Sequence, residues 1–164
     1  MLYKRYYGFA MSLCLRYVRN REDALEVMND AFMKVFSHIK TFKQECSFKS
    51  WFRRVLVNTA LDHYKSRGRY QLSQEWDETM SGKVAGESDV GQISADEILE
   101  LFSLLPDQYR ITFNLFEVEG YNHEEIAGMM DISPGTSRSN LSRAKHMLRY
   151  HYNKLKDKQR DEAV

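Results

Sequence analysis

The sequence predicts an all-α protein made of two small helical domains. Its composition favours helix, with only 8 Gly and 2 Pro among 164 residues and many Leu, Met, Lys, Glu and Arg. Apolar residues recur at helical spacing, and no segment shows the alternation typical of a strand. Residues 71–94 break this pattern and collect Gly, Ser and acidic residues. We therefore expect domains at 1–70 and 95–164, joined by a flexible acidic linker.

The first domain is predicted to contain three helices. The first covers residues 2–19, and the second begins at Asn20, a favourable N-cap residue. The second helix runs to about Lys40, and its apolar stripe is Ala24, Val27, Met28, Ala31, Phe32, Val35 and Phe36. A third helix starts near Ser47 and ends around Gly68.

The second domain is predicted to contain four helices, at residues 95–105, 107–119, 122–130 and 134–155, with Pro106 and Gly120 as breaks. Asn122 and Glu125 have the spacing of a capping box. After a short turn, Ser133 is an N-cap and Pro134 suits the first helical position. These signals together predict a helix-turn-helix, the motif that places its second helix in the major groove.

The outer face of that second helix carries side chains that bind phosphates and base edges. Arg can bond guanine edges in pairs, and Ser and Thr contact bases or phosphates. The predicted set is Thr136, Arg138, Ser139, Ser142, Arg143 and Lys145. A scaffold hairpin with a basic face is the structural alternative, but the caps, the turn and the short polar residues together favour DNA binding.

The third helix of the first domain is a second basic surface. Its cations, Lys49, Arg53, Arg54, Lys65, Arg67 and Arg69, interleave with Phe48, Trp51 and Phe52. This composition suits single-stranded DNA, because bases stack on aromatic rings and phosphates attract cations. Aromatic residues at helical spacing are more often core, and on composition alone that alternative is favoured.

The second helix also has a polar ridge beside its apolar stripe, formed by Glu26, Asn29, Asp30 and Met33. A plain solvated face is the favoured interpretation of the pattern alone, and a docking site for a basic partner helix is the sharper one. Charge is segregated along the chain, with net values of +8 for residues 1–70, −7 for 71–100, −5 for 101–131 and +5 for 132–164. Two basic blocks indicate two surfaces that face anions.

Other functional classes find little support in the sequence. The five histidines include no HExxH motif, and no glycine-rich phosphate loop is present, so we expect neither an enzyme nor a bound metal or cofactor. Cys14 and Cys46 have no metal-ligand spacing. No apolar run approaches the roughly 20 residues that span a bilayer, and no signal peptide is apparent, so we expect a cytoplasmic protein rather than a membrane protein.

Three segments, in order, resemble the extracytoplasmic-function (ECF) sigma factors. Residues 22–36 resemble the family's acidic polymerase-binding helix, and residues 48–67 its −10 recognition helix. The Leu-Leu-Pro of residues 104–106 and the helix-turn-helix resemble its −35-binding domain. The resemblance covers nearly the whole chain and implies a factor that gives core RNA polymerase its promoter specificity.

The resemblance also implies roles for residues. The ridge of Glu26, Asn29, Asp30 and Met33 would dock on a coiled coil of the largest polymerase subunit. The loop of Lys43, Gln44, Glu45, Cys46 and Ser47 would capture a flipped base of the −10 element, because a base must leave the stack to be read on its pairing edge. The melted strand would be supported by Lys49, Arg53, Arg54, Asn58 and Asp62. The outer face of the helix-turn-helix would read the −35 duplex.

This chain departs from the family pattern at several positions. Asn29 and Asp30 stand where Gln and Glu are more common, which shortens each side chain by a methylene. Asp131 replaces the usual Gly of the helix-turn-helix. Asn140 stands where a basic residue is common, so we expect one phosphate contact fewer. The chain begins inside its first predicted helix, which leads us to expect a shortened N-terminus or an alternative start.

The expected partners are core RNA polymerase, promoter DNA and an anti-sigma factor, which in this family is often membrane-bound. Two other functions remain open from the residues. One is a stand-alone helix-turn-helix regulator, although the chain lacks a ligand domain and dimerisation heptads. The other is a helical adaptor that only contacts proteins.

Overall fold

The computed structural model describes residues 1–42, 45–67 and 94–162. These residues form seven α-helices and no strand, which confirms the all-α prediction. The chain divides into two compact units, Met1–Tyr70 and Gln71–Val164. The predicted linker lies outside the described residues, apart from Ser94.

The first unit is formed by α1 (Leu2–Tyr17), α2 (Arg21–His38) and α3 (Phe48–Ser66), with a 3₁₀ turn at Ile39–Thr41 after α2. Side chains begin both later helices, at Asn20 as the sequence predicts and at Ser47, near which the third helix was expected to start. Asn20 Oδ1 accepts from the Asp23 amide at 2.8 Å, and Ser47 Oγ accepts from the Ser50 amide at 3.2 Å. Each cap satisfies a backbone donor that the first helical turn leaves without an intrahelical acceptor.

The core of this unit lies between the three helices. Its fully buried side chains, with no solvent exposure, include Leu13, Val27, Met28, Phe52 and Leu56. The predicted α2 stripe is buried except at one position. Phe36 is 49% exposed, so its assignment to the core stripe is wrong. It lies in the last turn of α2 next to the fully buried Val35, and its ring stacks on that of Phe32 with centroids 6.1 Å apart, so it stands at the edge of the core with one side in solvent.

The second unit contains α4 (Ala95–Ser103), α5 (Asp107–Phe113), α6 (His123–Met130) and α7 (Pro134–Glu162). The helix predicted over residues 107–119 is divided, because Asn114–Val118 forms a π-helical turn in which the Glu119 amide donates to Asn114 O at 3.0 Å. The last helix is longer than predicted and continues past residue 155.

The core of the second unit collects side chains from α4, the α4–α5 turn, α5 and α7. Phe102, Leu105, Tyr109, Ala144 and Met147 form its buried centre, with Phe113 and Leu148 packed against them. Burial of large apolar side chains of this kind contributes about 1.5–3 kcal/mol each. The cluster fixes the buried side of α7 and thereby decides which of its residues face outward.

Candidate protein and nucleic-acid interfaces

The turn between α6 and α7 has the local geometry that the sequence predicts for a helix-turn-helix. Asn122 and Glu125 form the complete capping box at the start of α6. At the other end, Asp131 adopts the left-handed conformation with φ of 57°. Ser133 Oγ then accepts from the Thr136 amide at 3.0 Å and begins α7. Asp131 therefore takes up the left-handed conformation that Gly adopts more readily.

A buried contact between α6 and α7 was not foreseen from the sequence. His123 Nδ1 lies 2.9 Å from Ser137 Oγ, and Ser137 is fully buried. The face of the imidazole ring stacks on the ring of Phe116, with centroids 4.6 Å apart. His123 therefore links the first turn of α6 to the first turns of α7, which is a structural role rather than a catalytic one. No sequence motif links two residues at this spacing, so the contact could not be predicted from the sequence.

The predicted outer face of α7 is exposed. Thr136, Arg138, Ser139, Ser142 and Arg143 are all solvent-exposed. The side of the helix that carries Leu141 and Ala144 is buried, as expected from the sequence. Arg143 is held in place by Tyr109, since its Nη1 donates to the Tyr109 hydroxyl at 3.3 Å. The five exposed residues thus offer two guanidinium groups and three hydroxyls on one helix.

Two positions of α7 differ from the expectation for a fully exposed face. Lys145 is half-buried, and its Nζ lies 2.5 Å from Glu117 Oε1 in the π-helical turn. Asn140 is only 2% exposed. The departure at Asn140 therefore places an amide in the interior of the unit rather than on its outer face.

The ridge on α2 is exposed at all four predicted positions, Glu26, Asn29, Asp30 and Met33. The Tyr3 hydroxyl of α1 donates to Asn29 Oδ1 at 3.2 Å, which orients the amide. Beyond Met33, which is 65% exposed, Phe36 at the end of α2 and Ile39 in the following 3₁₀ turn are exposed as well. The surface therefore passes from acidic to apolar along α2, and its apolar half was missed because Phe36 fits the core periodicity.

The loop before α3 is described only in part. Lys43 and Gln44 lie outside the described residues. Glu45, Cys46 and Ser47 are exposed, and the Ser47 hydroxyl is used as the N-cap of α3. Its Oγ also lies 2.8 Å from Ser50 Oγ.

Aromatic rings lie next to this loop. Phe52 is fully buried, as the core interpretation requires. Phe48 and Trp51 are only half-buried, and they form a cluster with Phe42, whose ring centroid lies 5.0 Å from that of Trp51. Lys49 is exposed and holds its ammonium 4.9 Å from the centroid of the Phe9 ring. The core interpretation is therefore correct for Phe52 and incomplete for the other two rings.

Three of the remaining predicted residues of α3 are spaced about one helical turn apart and lie on one side of the helix. Arg54, Asn58 and Asp62 are exposed at i, i+4 and i+8, whereas Arg53 is half-buried. Asp62 Oδ2 accepts from Lys34 Nζ of α2 at 2.9 Å. Its neighbour His63 points elsewhere, with Nδ1 3.9 Å from Glu26 Oε1. The two adjacent residues face apart, as expected of neighbouring helical positions.

Asp23, Glu26 and His63 bring their possible metal-ligand atoms within 4.8 Å of one another. Both oxygens of Asp23, however, accept from the Arg67 guanidinium at 2.6 Å. A guanidinium in this position opposes a second cation. We interpret the contact between Asp23 and Arg67 as an ion pair that joins α2 to the end of α3, and not as part of a metal site.

None of the helices in the described part of the chain combines enough length with enough apolar character to cross a bilayer.

Comparison with known proteins assigns both units to one family. Residues 2–70 match the model of Sigma-70 region 2, and residues 95–148 match that of Sigma-70, region 4. The ECF RNA polymerase sigma-E factor of Escherichia coli K12 is 30% identical over 159 residues, which cover 90% of this chain and 83% of that protein. The sigma-E factor of Haemophilus influenzae is 29% identical over 163 residues, with 90% and 84% covered.

A solved structure has the same fold. It is the sigma factor RpoE in complex with the anti-sigma factor NepR from Bartonella quintana, with a TM-score of 0.53 and 20% identity over 90% of this chain and 91% of that one. None of these comparisons supports a stand-alone regulator. Because both sigma regions occur in order and a relative is 30% identical across nine-tenths of the sequence, this chain belongs to the ECF sigma factors and is an alternative sigma factor that directs promoter-specific transcription initiation.

Proposed function

We propose that three surfaces divide the work of this sigma factor between polymerase docking, −10 recognition and −35 recognition. Residues 1–70 would act as the region-two domain and residues 95–164 as the region-four domain, with 71–94 as a linker. One observation carries the proposal. Every described residue in the three predicted sets is exposed except Arg53 and Lys145, which are half-buried.

The ridge on α2 is proposed to dock on core RNA polymerase. Glu26 and Asp30 supply negative charge, and Met33 supplies an exposed apolar contact. An interface of this kind fits a basic helix that also carries apolar residues, because opposite charges steer association and apolar burial stabilises the complex. The shorter side chains of Asn29 and Asp30 require a closer approach of the partner helix than Gln and Glu would.

The loop before α3 and the exposed side of that helix are proposed to hold the melted −10 strand. Lys49 and Arg54 would bind phosphates, and Asn58 would reach a base edge or a sugar. The half-buried Phe48 and Trp51 add aromatic surface beside the loop that would receive the flipped base. Asp62 carries negative charge, and its ion pair with Lys34 reduces the repulsion it would exert on a phosphate.

The outer face of α7 is proposed to read the −35 duplex. Arg138 and Arg143 would make the base or phosphate contacts that need a guanidinium, and Thr136, Ser139 and Ser142 would make shorter hydrogen bonds. Two domains that each bind weakly gain affinity when a linker holds both near the same promoter. Simultaneous use of both surfaces would therefore confer specificity that neither domain has alone.

The protein is proposed to work in the cytoplasm as a binding factor and not as an enzyme. Both matched family models describe sigma regions, and neither describes a catalytic domain. An anti-sigma factor, which could be membrane-bound, is a further proposed partner. The solved complex of the Bartonella sigma factor with an anti-sigma factor supports this proposal through its shared fold.

Core binding by ridge variants tests the docking proposal. Glu26→Lys with Asp30→Lys should weaken binding to sigma-free core polymerase at least tenfold, because it replaces two attractions with two repulsions. The matched control is Glu100→Lys with Asp157→Lys, which makes the same change in net charge at exposed positions of the second unit. The control should bind core as the unaltered chain does.

Fluorescence anisotropy of labelled protein titrated with core gives both affinities. Equal weakening by the two double variants would show that net charge, and not the ridge, governs binding. Unchanged binding by the ridge variant would remove α2 from the docking site. Circular dichroism of each variant verifies that its helices are intact.

A further inference from the structure

Helix α7 carries an unusual run of positive charge that continues past the matched family region. Between Pro134 and Lys156 it has no Asp or Glu, and its cations are Arg138, Arg143, Lys145, Arg149, Lys154 and Lys156. The match to Sigma-70, region 4 ends at residue 148, while the helix continues to Glu162. Like charges four residues apart, such as Lys145 and Arg149, destabilise a helix by about 0.2–0.5 kcal/mol. A cationic run of this length therefore suggests an external anion.

Most of these cations already contact other side chains. Lys145 pairs with Glu117, and Arg143 donates to Tyr109. Further along the helix, Lys154 and Lys156 hold their ammonium groups over the rings of Tyr150 and Tyr152, at 5.5 and 4.9 Å from the centroids.

Arg149 differs from these cations. It is exposed, and within the part of the chain that the structure describes it makes no ion pair or hydrogen bond. The positions three and four residues away on either side are Lys145, His146, Tyr152 and Asn153, so the helix offers it no carboxylate. Its guanidinium is therefore available to a partner molecule.

The position of Arg149 relates it to the proposed −35 surface. It follows Arg138 by eleven residues, which is close to three helical turns, so both lie on the same side of α7. The axial rise between them is roughly 16 Å. The major groove is about 12 Å wide, so a helix that brings Arg138 to base edges carries Arg149 toward the phosphates at the border of the groove.

We propose that Arg149 binds the phosphate backbone beside the −35 element and extends the duplex-binding surface beyond the matched region-four segment. This inference rests on the proposed −35 role of α7. The contact is independent of base sequence, because phosphates carry no sequence information directly. Duplex DNA is favoured over an acidic protein surface because Arg149 shares one continuous helix, and one side of it, with the residues proposed to read bases.

A salt titration tests the proposal with the full chain bound to core polymerase. The DNA probes are a promoter fragment that this holoenzyme transcribes and the same fragment with its −35 element scrambled. Arg149→Ala should weaken binding to both probes equally, by roughly fivefold to tenfold at 0.1 M salt. It should also reduce the slope of log affinity against log salt by about 0.9, the value for one phosphate contact. Arg149→Lys should restore most of the slope.

Two variants serve as controls. Lys158→Ala removes one exposed cation from the same helix, nine residues or two and a half turns after Arg149 and therefore on the opposite side, and it should leave the slope within error of the unaltered chain. Arg138→Ala should reduce affinity more on the native fragment than on the scrambled one, which tests the −35 role separately.

The outcomes separate the two proposals. An unchanged slope for Arg149→Ala, with a normal effect of Arg138→Ala, would overturn the Arg149 contact alone. The absence of any difference between native and scrambled fragments for the unaltered holoenzyme would overturn the −35 role. Weaker binding of Arg149→Ala to core polymerase, measured without DNA, would overturn the proposal by assigning Arg149 to an acidic protein surface.

Discussion

The guanidinium of Arg67 at the end of α3 donates to both carboxylate oxygens of Asp23 near the start of α2, each across 2.6 Å. The two residues are 44 positions apart in the sequence, and Asp23 is almost fully buried. The bidentate pair therefore joins the helix proposed to dock on polymerase to the helix proposed to hold the −10 strand. Paired, charge-assisted bonds of this kind are stronger and more directional than single ones.

A double-mutant cycle should detect this connection. We expect a coupling energy of about 1 kcal/mol between Asp23→Asn and Arg67→Gln, since Asp23 is buried while Arg67 stays half in solvent. Urea denaturation of the four proteins, followed by circular dichroism, gives the coupling. Additive effects of the two substitutions would show that the pair contributes nothing beyond its separate residues. Lys34 and Asp62, which pair at two exposed positions, provide the comparison cycle, and a smaller coupling is expected there.

The left-handed residue of the helix-turn-helix allows a second prediction. Asp131→Val should destabilise the protein by about 1–2 kcal/mol, because a β-branched residue is strained at positive φ. Asp131→Gly should leave stability within about 1 kcal/mol of the original, since relief of strain is offset by the greater freedom of the unfolded chain. Urea denaturation measures both. A Gly variant less stable than the Val variant would contradict this account of the turn.

Arg143 and Tyr109 allow a third prediction, on promoter selectivity. Arg143→Ala should reduce transcription from a promoter with its native −35 element roughly tenfold, and less from one with a scrambled element, because a lost base contact costs about 1–3 kcal/mol. Tyr109→Phe should cause a smaller loss in the same direction, since it removes the hydroxyl that orients the guanidinium. Transcript yields from matched templates test both. Equal losses on the two templates would indicate that Arg143 contacts only phosphate.

The two cysteines should differ in reactivity. Burial raises the pKa of the Cys14 thiol to about 12, so at neutral pH it stays protonated and is not nucleophilic. Cys46 is exposed in the loop proposed to capture a base. A thiol reagent at neutral pH should label one cysteine in the folded protein and two after unfolding, and Cys46→Ser should remove the folded-state label. Rapid labelling of two cysteines in the folded protein would contradict the buried position of Cys14.

A bulky label on Cys46 also tests the −10 proposal. Because the label would occupy the space of the flipped base, the labelled chain should bind core normally but open promoter DNA poorly. Cys46→Ser treated with the same reagent is the control. Normal promoter opening by the labelled chain would remove Cys46 from the base-capture loop.

Features that depend on neighbouring residues were predicted correctly from the sequence. The caps at Asn20 and Ser133 and the capping box of Asn122 all rest on spacings of a few residues, and the all-α class rests on periodicity within single helices. Such signals act within one helical turn, so the rest of the fold does not need to be known.

Features that depend on tertiary packing were not predicted. Phe36 fits the periodicity of the α2 stripe but lies at the edge of the core with one side in solvent, and Asn140 is buried although its residue type favours the surface. Lys145 pairs with Glu117, which lies in the π-helical turn, and no local sequence signal predicted that turn. The roles proposed for the site residues rest on the family resemblance together with their exposure.

Run-off transcription from a library of promoter fragments tests the central claim most directly. Sigma-free core polymerase is supplied with this chain, with its Glu26→Lys, Asp30→Lys variant or with no addition. The account predicts transcripts from a small set of fragments with shared −10 and −35 elements, only when the unaltered chain is present, and their loss with the variant. No dependent transcript, together with tight duplex binding by the chain alone, would contradict the account and indicate a stand-alone regulator.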